Sequence, residues 1–276
     1  MNPMNSTAAD VDRFDVRSPD GTAIAVWVEG EGPPLVLVHG ALNDHSTDRP
    51  FIDELRGNVT TFAMDRRGRG ASGDQAEYAI EREFEDVAAV VDAVAGRADH
   101  AVSVWGHSYG ADCAMGAATL TENIAHLILY EPGLGFSCTD EMLAAIETID
   151  TLVAAGDHEG ALFVALRDIV ELTKEEIAFV RASPGWPARL AAAPKLPREV
   201  RAEVDWLYRP GQFDAVTAPT LLLAGSESPA AQEEATQRAA EAIPDFRIRV
   251  LEGHSHIAHR TDPSFVAAII TELLRS

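Results

Sequence analysis

The first half of the chain is punctuated by four short apolar runs, Leu35–Val38, Val59–Met64, Ala101–Trp105 and Leu127–Tyr130. A strand with one wet face alternates apolar and polar residues; these do not, so they read as strands buried on both faces. Between them lies helical periodicity. It is clearest over Glu81–Ala95, where Phe84, Val87, Ala88, Val91 and Val94 recur at spacings of three and four while Glu85, Asp86 and Asp92 are expected to point away. Ahead of this alternation, Val11–Arg17 and Thr22–Glu29 flank Ser18-Pro19-Asp20-Gly21, the turn chemistry of a hairpin. Sheet character returns late, at Thr220–Ala224 and Arg247–Leu251, and Phe265–Leu274 closes the chain as an amphipathic helix. The pattern predicts an α/β fold, a mostly parallel sheet of about eight strands with helices on both faces.

The alternation pauses after Pro132. Over Glu141–Ala155, Glu159–Val170 and Lys174–Ala182 the periodicity is helical, broken by Pro184, Pro187, Pro194 and Pro197, with no convincing strand. Residues 133–214 are therefore expected to form an all-helical cap inserted into a core built from residues 1–132 and 215–276.

Composition narrows the partners. With 46% hydrophobic residues in 276, one large core is within reach. The net charge of −22 repels phosphate backbones and anionic lipid, which argues against nucleic acid and membrane surfaces. Cys113 and Cys138 lack metal or redox spacing and are expected to be reduced thiols. The opening residues lack the basic and apolar segments of a secretory leader, and no apolar stretch nears the roughly 20 residues that span a bilayer. A cytoplasmic protein is expected, acting on a small molecule without cofactor or metal; a homodimer is left open.

Chemistry concentrates at Gly106-His107-Ser108-Tyr109-Gly110, after a buried strand and before the small-residue helix Ala111–Leu120. This is the G-x-S-x-G nucleophile elbow in its required strand, turn and helix setting. Ser108 must occupy a strained turn, and side chains at 106 or 110 would collide with neighbouring elements. A second cluster, His254-Ser255-His256-Ile257-Ala258-His259, follows the last strand and offers three candidate bases. His39, beside Gly40 at the end of another buried strand, is expected to hold its loop through its ring nitrogens rather than to act on substrate.

With the His39-Gly40 pair, the Asp65-Arg66-Arg67-Gly68-Arg69-Gly70-Ala71-Ser72-Gly73 loop, the elbow and the histidine loop, the chain resembles the α/β-hydrolase superfamily over nearly its whole length. The resemblance implies an oxyanion hole from the backbone N–H groups of Ala41 and Tyr109. It also favours His256, because the family's histidine precedes the proline of the last helix, here Pro263, by about this spacing.

The acid departs from the family pattern. The usual aspartate follows the strand Thr220–Ala224, but Ser228 stands in its place within Gly225-Ser226-Glu227-Ser228-Pro229. Glu227 and Glu131 are the alternatives, and some relatives carry the acid after the earlier strand. Glu131 is favoured because it ends a buried strand at the sheet edge where open α/β sheets bind ligands. Asp112, one turn into the helix after Ser108, is expected to serve packing or capping.

Ser108, Glu131 and His256 would then make an esterase-like serine hydrolase acting through an acyl-enzyme on an ester, thioester or lactone of a small, largely apolar molecule. An acyltransferase, cyclase, perhydrolase or C–C hydrolase, or a non-catalytic scaffold that kept the pocket, are the alternatives on the same fold. Phe163, Phe179, Trp186 and Trp206 could roof the site or, as is favoured, hold the helices together.

Overall fold

The computed structural model describes residues 11–133, 139–206 and 209–275. Strands β1 (Asp12–Arg17), β2 (Ala23–Gly30), β3 (Pro34–Val38), β4 (Thr60–Met64), β5 (Val102–His107), β6 (Ile124–Tyr130), β7 (Thr220–Gly225) and β8 (Phe246–Leu251) form one sheet. Their spatial order is β1-β2-β4-β3-β5-β6-β7-β8. β1 and β2 pair antiparallel, β2 meets β4 antiparallel, and every later pair is parallel. The apolar runs sit at the centre, where both faces are covered: every residue of β3 and β5 is buried.

One face is covered by α2 (Ile80–Ala98) and α3 (Tyr109–Ala117), whose Phe84, Val87, Val91 and Met115 meet Val36, Val104 and Leu129 of the sheet. Ala239 and Ala240 of α9 (Ala230–Ala242) join this side. The other face packs Leu37, Trp105 and Ile128 against α1 (Arg49–Leu55), the short α10 (Ala258–Thr261) and α11 (Pro263–Leu273). No helix among the described residues is long and apolar enough to cross a membrane.

Two local expectations are corrected. Asp86 does not face water: it is fully buried in α2, because Arg67 reaches it with Nε at 2.7 Å and Nη2 at 2.8 Å. Periodicity sorts residues by polarity and cannot see a polar residue whose partner lies 19 positions away. The predicted helix over Glu159–Val170 is α5 (His158–Val164) followed by one π-helical turn, Ala165–Ile169, with Val170 N–H donating to the Ala165 carbonyl. Such turns recur at functional sites.

Between β6 and β7 the described residues hold helices and no strand: α4 (Asp140–Ala154), α5, the π turn, α6 (Lys174–Ala182), α7 (Trp186–Ala192) and α8 (Leu196–Asp205). They share an apolar core of Ile146, Leu162, Leu166, Val180 and Leu196 with Leu42 and Ile257 of the sheet's loops. Buried charge adds to the attachment. Glu199 of α8 accepts from Arg66 at 2.8 Å and lies 2.7 Å from Arg69 Nη2 as an ion pair, both arginines being in the loop after β4. Arg66 also forks onto Glu83 of α2. Breaking one member would strand a buried ion, which is far costlier than losing a surface pair.

Cys113 is buried and free, and burial pushes its thiol well above the ordinary range; Cys138 lies outside the described residues.

Candidate active site

Three strand ends build the site. After β5 the chain turns sharply at Ser108, which holds φ 52° and ψ −132°, a left-handed region that an L-residue occupies at a cost. Ser108 N–H donates to the Tyr130 carbonyl (2.9 Å), so the sheet ladder holds the turn. The turn needs both glycines. A Cβ on Gly106 would lie 2.6 Å from the Gly110 carbonyl oxygen, and one on Gly110 would lie 2.4 Å from the carbonyl oxygens of Val38 and His39.

After β6, Glu131 is also left-handed, at φ 47°, and is fully buried. Its N–H donates to the Leu223 carbonyl (3.1 Å), which continues the parallel ladder with β7. Oε1 accepts from Gly225 N–H and Ser228 Oγ, each at 2.6 Å; Oε2 accepts from His256 Nδ1 at 2.6 Å. Ser228, standing where the family's aspartate is expected, thus donates to the carboxylate of the neighbouring strand. Glu227 is exposed and lacks any such contact with His256.

After β8, two side chains anchor the backbone that carries His256. His107 Nε2 donates to the His256 carbonyl (2.9 Å), and the two rings lie 4.7 Å apart between centroids with their planes tilted by 44°. Tyr130 hydroxyl donates to the Ser255 carbonyl and accepts from Ala258 N–H at 3.1 Å. Burial, with the neighbouring His259 and His256, holds His107 well below the ordinary histidine range, which keeps its ring neutral and Nε2–H available as a donor. Neither His107 nor Tyr130 carried a positional signal in the sequence beyond membership of the elbow and of β6.

The other histidines are placed elsewhere. His254 stacks on Phe265 and donates from Nδ1 to the Glu252 carbonyl. His259 sits among Phe51, Trp105 and Tyr130, and burial pushes it down to about 4. His39 donates from Nδ1 to the Gly40 carbonyl (2.9 Å) and accepts from Arg66 N–H on Nε2 (3.1 Å), so both nitrogens hold loops. Asp112 accepts from Gly133 N–H (3.1 Å) and bonds to Glu203, away from the imidazole.

Ser108 and His256 open into one cavity of about 340 Å3, within the usual range for small-ligand sites. Ala41 and Tyr109 line it too. Tyr109 begins α3, where N–H groups have no intrahelical acceptor. Its ring is fixed under the Arg66 guanidinium at 4.4 Å, and its hydroxyl meets Tyr78 at 2.8 Å. Gly40 lets the Ala41 loop close on the elbow, since a Cβ there would sit 3.2 Å from Ser108 Cβ. A strained serine, an imidazole gripped by a buried carboxylate and two converging backbone segments can perform nucleophilic acyl chemistry.

The model of the family described as "Alpha/beta hydrolase family" matches residues 35–269. The chain belongs to the alpha/beta hydrolase family. An alpha/beta hydrolase from Sphaerobacter thermophilus DSM 20745 has a solved structure similar to this one, with TM-score 0.80, 33% identity, and coverage of 95% of this chain and 100% of that one. The 2-(acetamidomethylene)succinate hydrolase of Mesorhizobium japonicum (strain LMG 29417 / CECT 9101 / MAFF 303099) is 25% identical over 97% of this chain and 98% of its own. An esterase from Exiguobacterium antarcticum shares the fold at TM-score 0.73 and 20% identity, covering 95% of this chain and 99% of its own.

In this alpha/beta hydrolase the aromatic side chains of the helical segment, among the described residues, do not line the cavity. Phe163 packs on Trp186 (6.0 Å), Trp206 on Phe84 and Phe213, and Phe179 is exposed. The apolar wall is aliphatic instead, from Leu42, Leu166, Ile169, Leu196, Val200 and Ile257.

Among the described residues, Asp44, His45 and Asp65 alone have the proximity of a metal cluster. Asp65 already accepts from Trp27 Nε1, His45 N and Nδ1, and Ala71 N, all within 3.0 Å. That spends its carboxylate on stapling loops.

Proposed function

We propose that the protein is a serine hydrolase that cleaves an ester, thioester or lactone of a small molecule through an acyl-enzyme. The observation that carries this reading is the 2.6 Å bond from His256 Nδ1–H to buried Glu131, beside a strained Ser108 in the same cavity. Hydrolase and esterase relatives support hydrolysis.

With Nδ1–H committed to Glu131, His256 presents Nε2 as the base. It takes the Ser108 proton as Oγ adds to the carbonyl carbon, while the Ala41 and Tyr109 N–H groups receive the negative oxygen. The carbonyl re-forms, the alcohol or thiol departs with the proton from His256, and the acyl group stays on Ser108. Water, deprotonated by His256, then adds to the acyl-enzyme; its collapse returns the proton to Ser108 and releases the acid. The Glu131 carboxylate stabilises the imidazolium. Residues 133–214 act as the cap that closes over this chemistry, with α8 tied down through Glu199.

Labelling with a fluorophosphonate, mapped by mass spectrometry, is expected to mark Ser108. Ser108→Ala is expected to lose the label and all but a few per cent of turnover of short p-nitrophenyl esters while melting like the parent protein. Substantial residual turnover in Ser108→Ala would remove the serine from the mechanism.

A further inference from the structure

Four arginines among the described residues are buried: Arg66, Arg67, Arg69 and Arg189. The first three are each answered by a carboxylate, Arg66 by Glu83 and Glu199, Arg67 by Asp86 and Asp20, and Arg69 by Glu199. Arg189, on α7 and only 2% exposed, has no carboxylate at ion-pair distance among the described residues. Its one side-chain hydrogen bond runs from Nη1 to the neutral Asn43 Oδ1, and Nε is buried without a partner. An arginine so desolvated is costly unless an anion answers it.

Arg189 lines the cavity that holds Ser108 and His256, and so do Asn43 and Arg260. Arg260 gives its Nε to Asp48 (2.7 Å) and leaves Nη2 buried and unpartnered. Burial and the nearby Arg260 push Arg189 down to about 9, which still leaves it charged near neutral pH. With Nη1 held by Asn43, the Nε and Nη2 edge of the fork remains, and two parallel N–H groups match the two oxygens of a carboxylate. Exposed Glu141, Glu171 and Glu234 stand around the same cavity. Those charges favour a singly charged group over a phosphate dianion.

We propose that the substrate carries a free carboxylate besides its scissile acyl bond, that Arg189 pairs with this carboxylate, and that Arg260 Nη2 supports it. The proposal rests on the hydrolase reading above and deepens it. The aliphatic wall of Leu42, Leu166, Leu196 and Val200 would then take the carbon chain between the two polar ends.

The test compares mono-p-nitrophenyl succinate with p-nitrophenyl butyrate, a neutral ester of equal chain length. The parent protein is expected to favour the succinate by tenfold or more in kcat/KM. Arg189→Gln is expected to cut that ratio at least tenfold, and Arg189→Lys, a point charge without the fork, to recover only part of it. A ratio that Arg189→Gln leaves within twofold of the parent's overturns the proposal.

Calorimetric binding of monoethyl succinate against its uncharged amide, to Ser108→Ala protein, separates the two readings. Tighter binding of the acid, lost in Arg189→Gln, alongside no hydrolysis of either ester by the parent would sink the hydrolase reading and leave the carboxylate site standing. Equal binding of acid and amide by Ser108→Ala protein would sink the carboxylate site, even where Arg189→Gln fails to fold.

Discussion

Glu131→Gln is the substitution that most directly interrogates the proposed chemistry. The amide is isosteric, and Glu131 makes three bonds of 2.6 Å: two accepted on Oε1 from Gly225 N–H and Ser228 Oγ, and one on Oε2 from His256. Gly225 N–H can only donate, so the glutamine must turn its carbonyl oxygen towards it. The NH2 group then faces His256 Nδ1. That forces the imidazole to carry its proton on Nε2, the nitrogen that should accept from Ser108. The reverse amide orientation sets NH2 against Gly225 N–H, two donors at hydrogen-bond range. Either way the productive tautomer is lost, and the imidazolium loses its counter-charge. The same amide replacement in another serine triad costs about ten-thousandfold. The expected loss in kcat here is about a hundredfold to ten-thousandfold, about 3 to 5 kcal/mol of transition-state stabilisation. The fold should survive, because the carbonyl keeps both Gly225 and Ser228 as donors. Short p-nitrophenyl ester turnover, with circular dichroism and thermal melts on the same preparations, checks this; Glu227→Gln, altering an exposed side chain, should stay within a few fold. Activity of Glu131→Gln within threefold of the parent would refute the tautomer argument.

Two further expectations concern stability. Gly110→Ala drives a Cβ to 2.4 Å from backbone oxygens of Val38 and His39, whereas Gly96→Ala in α2 meets nothing within 4 Å. The first should therefore lower the melting temperature by several degrees, for an overpacking cost of about 1–3 kcal/mol or more, and the second should raise it by up to about 1 kcal/mol in stability; melts shifting in the same direction would contradict this. Burial raises the Glu203 carboxyl from 4.5 to about 7, with Glu199 adding to the rise. The folded protein then holds a proton that the unfolded chain has released, so this group's contribution to stability falls as pH climbs from about 4.5 to about 7. Glu203→Gln mimics the protonated form and should gain on the parent between melts at about pH 4.5 and about pH 8; a difference that does not change with pH would rule this out.

How much of the fold could be read in the chain follows from what each pattern measures. Uninterrupted apolar runs mark strands buried on both faces, so the central β3, β5 and β6 were legible, and with them the α/β class. Edge strand β8 was legible only by its residue types, for Phe246, Ile248 and Val250 all remain partly exposed. Helix α9 escaped because its buried side is mostly alanine, Gln232 and Thr236, too weakly apolar to stand out. The buried charges were invisible for a different reason. Arg66 meets Glu199 across 133 residues, and neither residue's local context distinguishes it from a solvated charge. The same blindness hid Arg189: its burial without a carboxylate is a property of the assembled cavity and leaves no trace in the chain around it.

The placement of Glu131, the proposed acid, shows why sequence position could narrow the choice between loops. In register, Tyr130 of β6 lies beside Leu223 of β7, so Glu131 and the Gly225–Ser228 loop leave the sheet side by side. A carboxylate on either strand end could reach an imidazole arriving from the loop after β8. What discriminates between the two is which end is held. Glu131 is pinned by its own N–H on Leu223, while Glu227 continues into an exposed loop. The vacated aspartate position is not idle, because Ser228 spends its hydroxyl on Glu131 Oε1 and, with Gly225 N–H, orients the carboxylate. Both donors sit on one oxygen, Oε1, which leaves Oε2 for His256. The serine in place of the expected aspartate and the glutamate one strand earlier therefore act as a single unit, in which the β7 loop supplies hydrogen-bond donors and β6 supplies the charge.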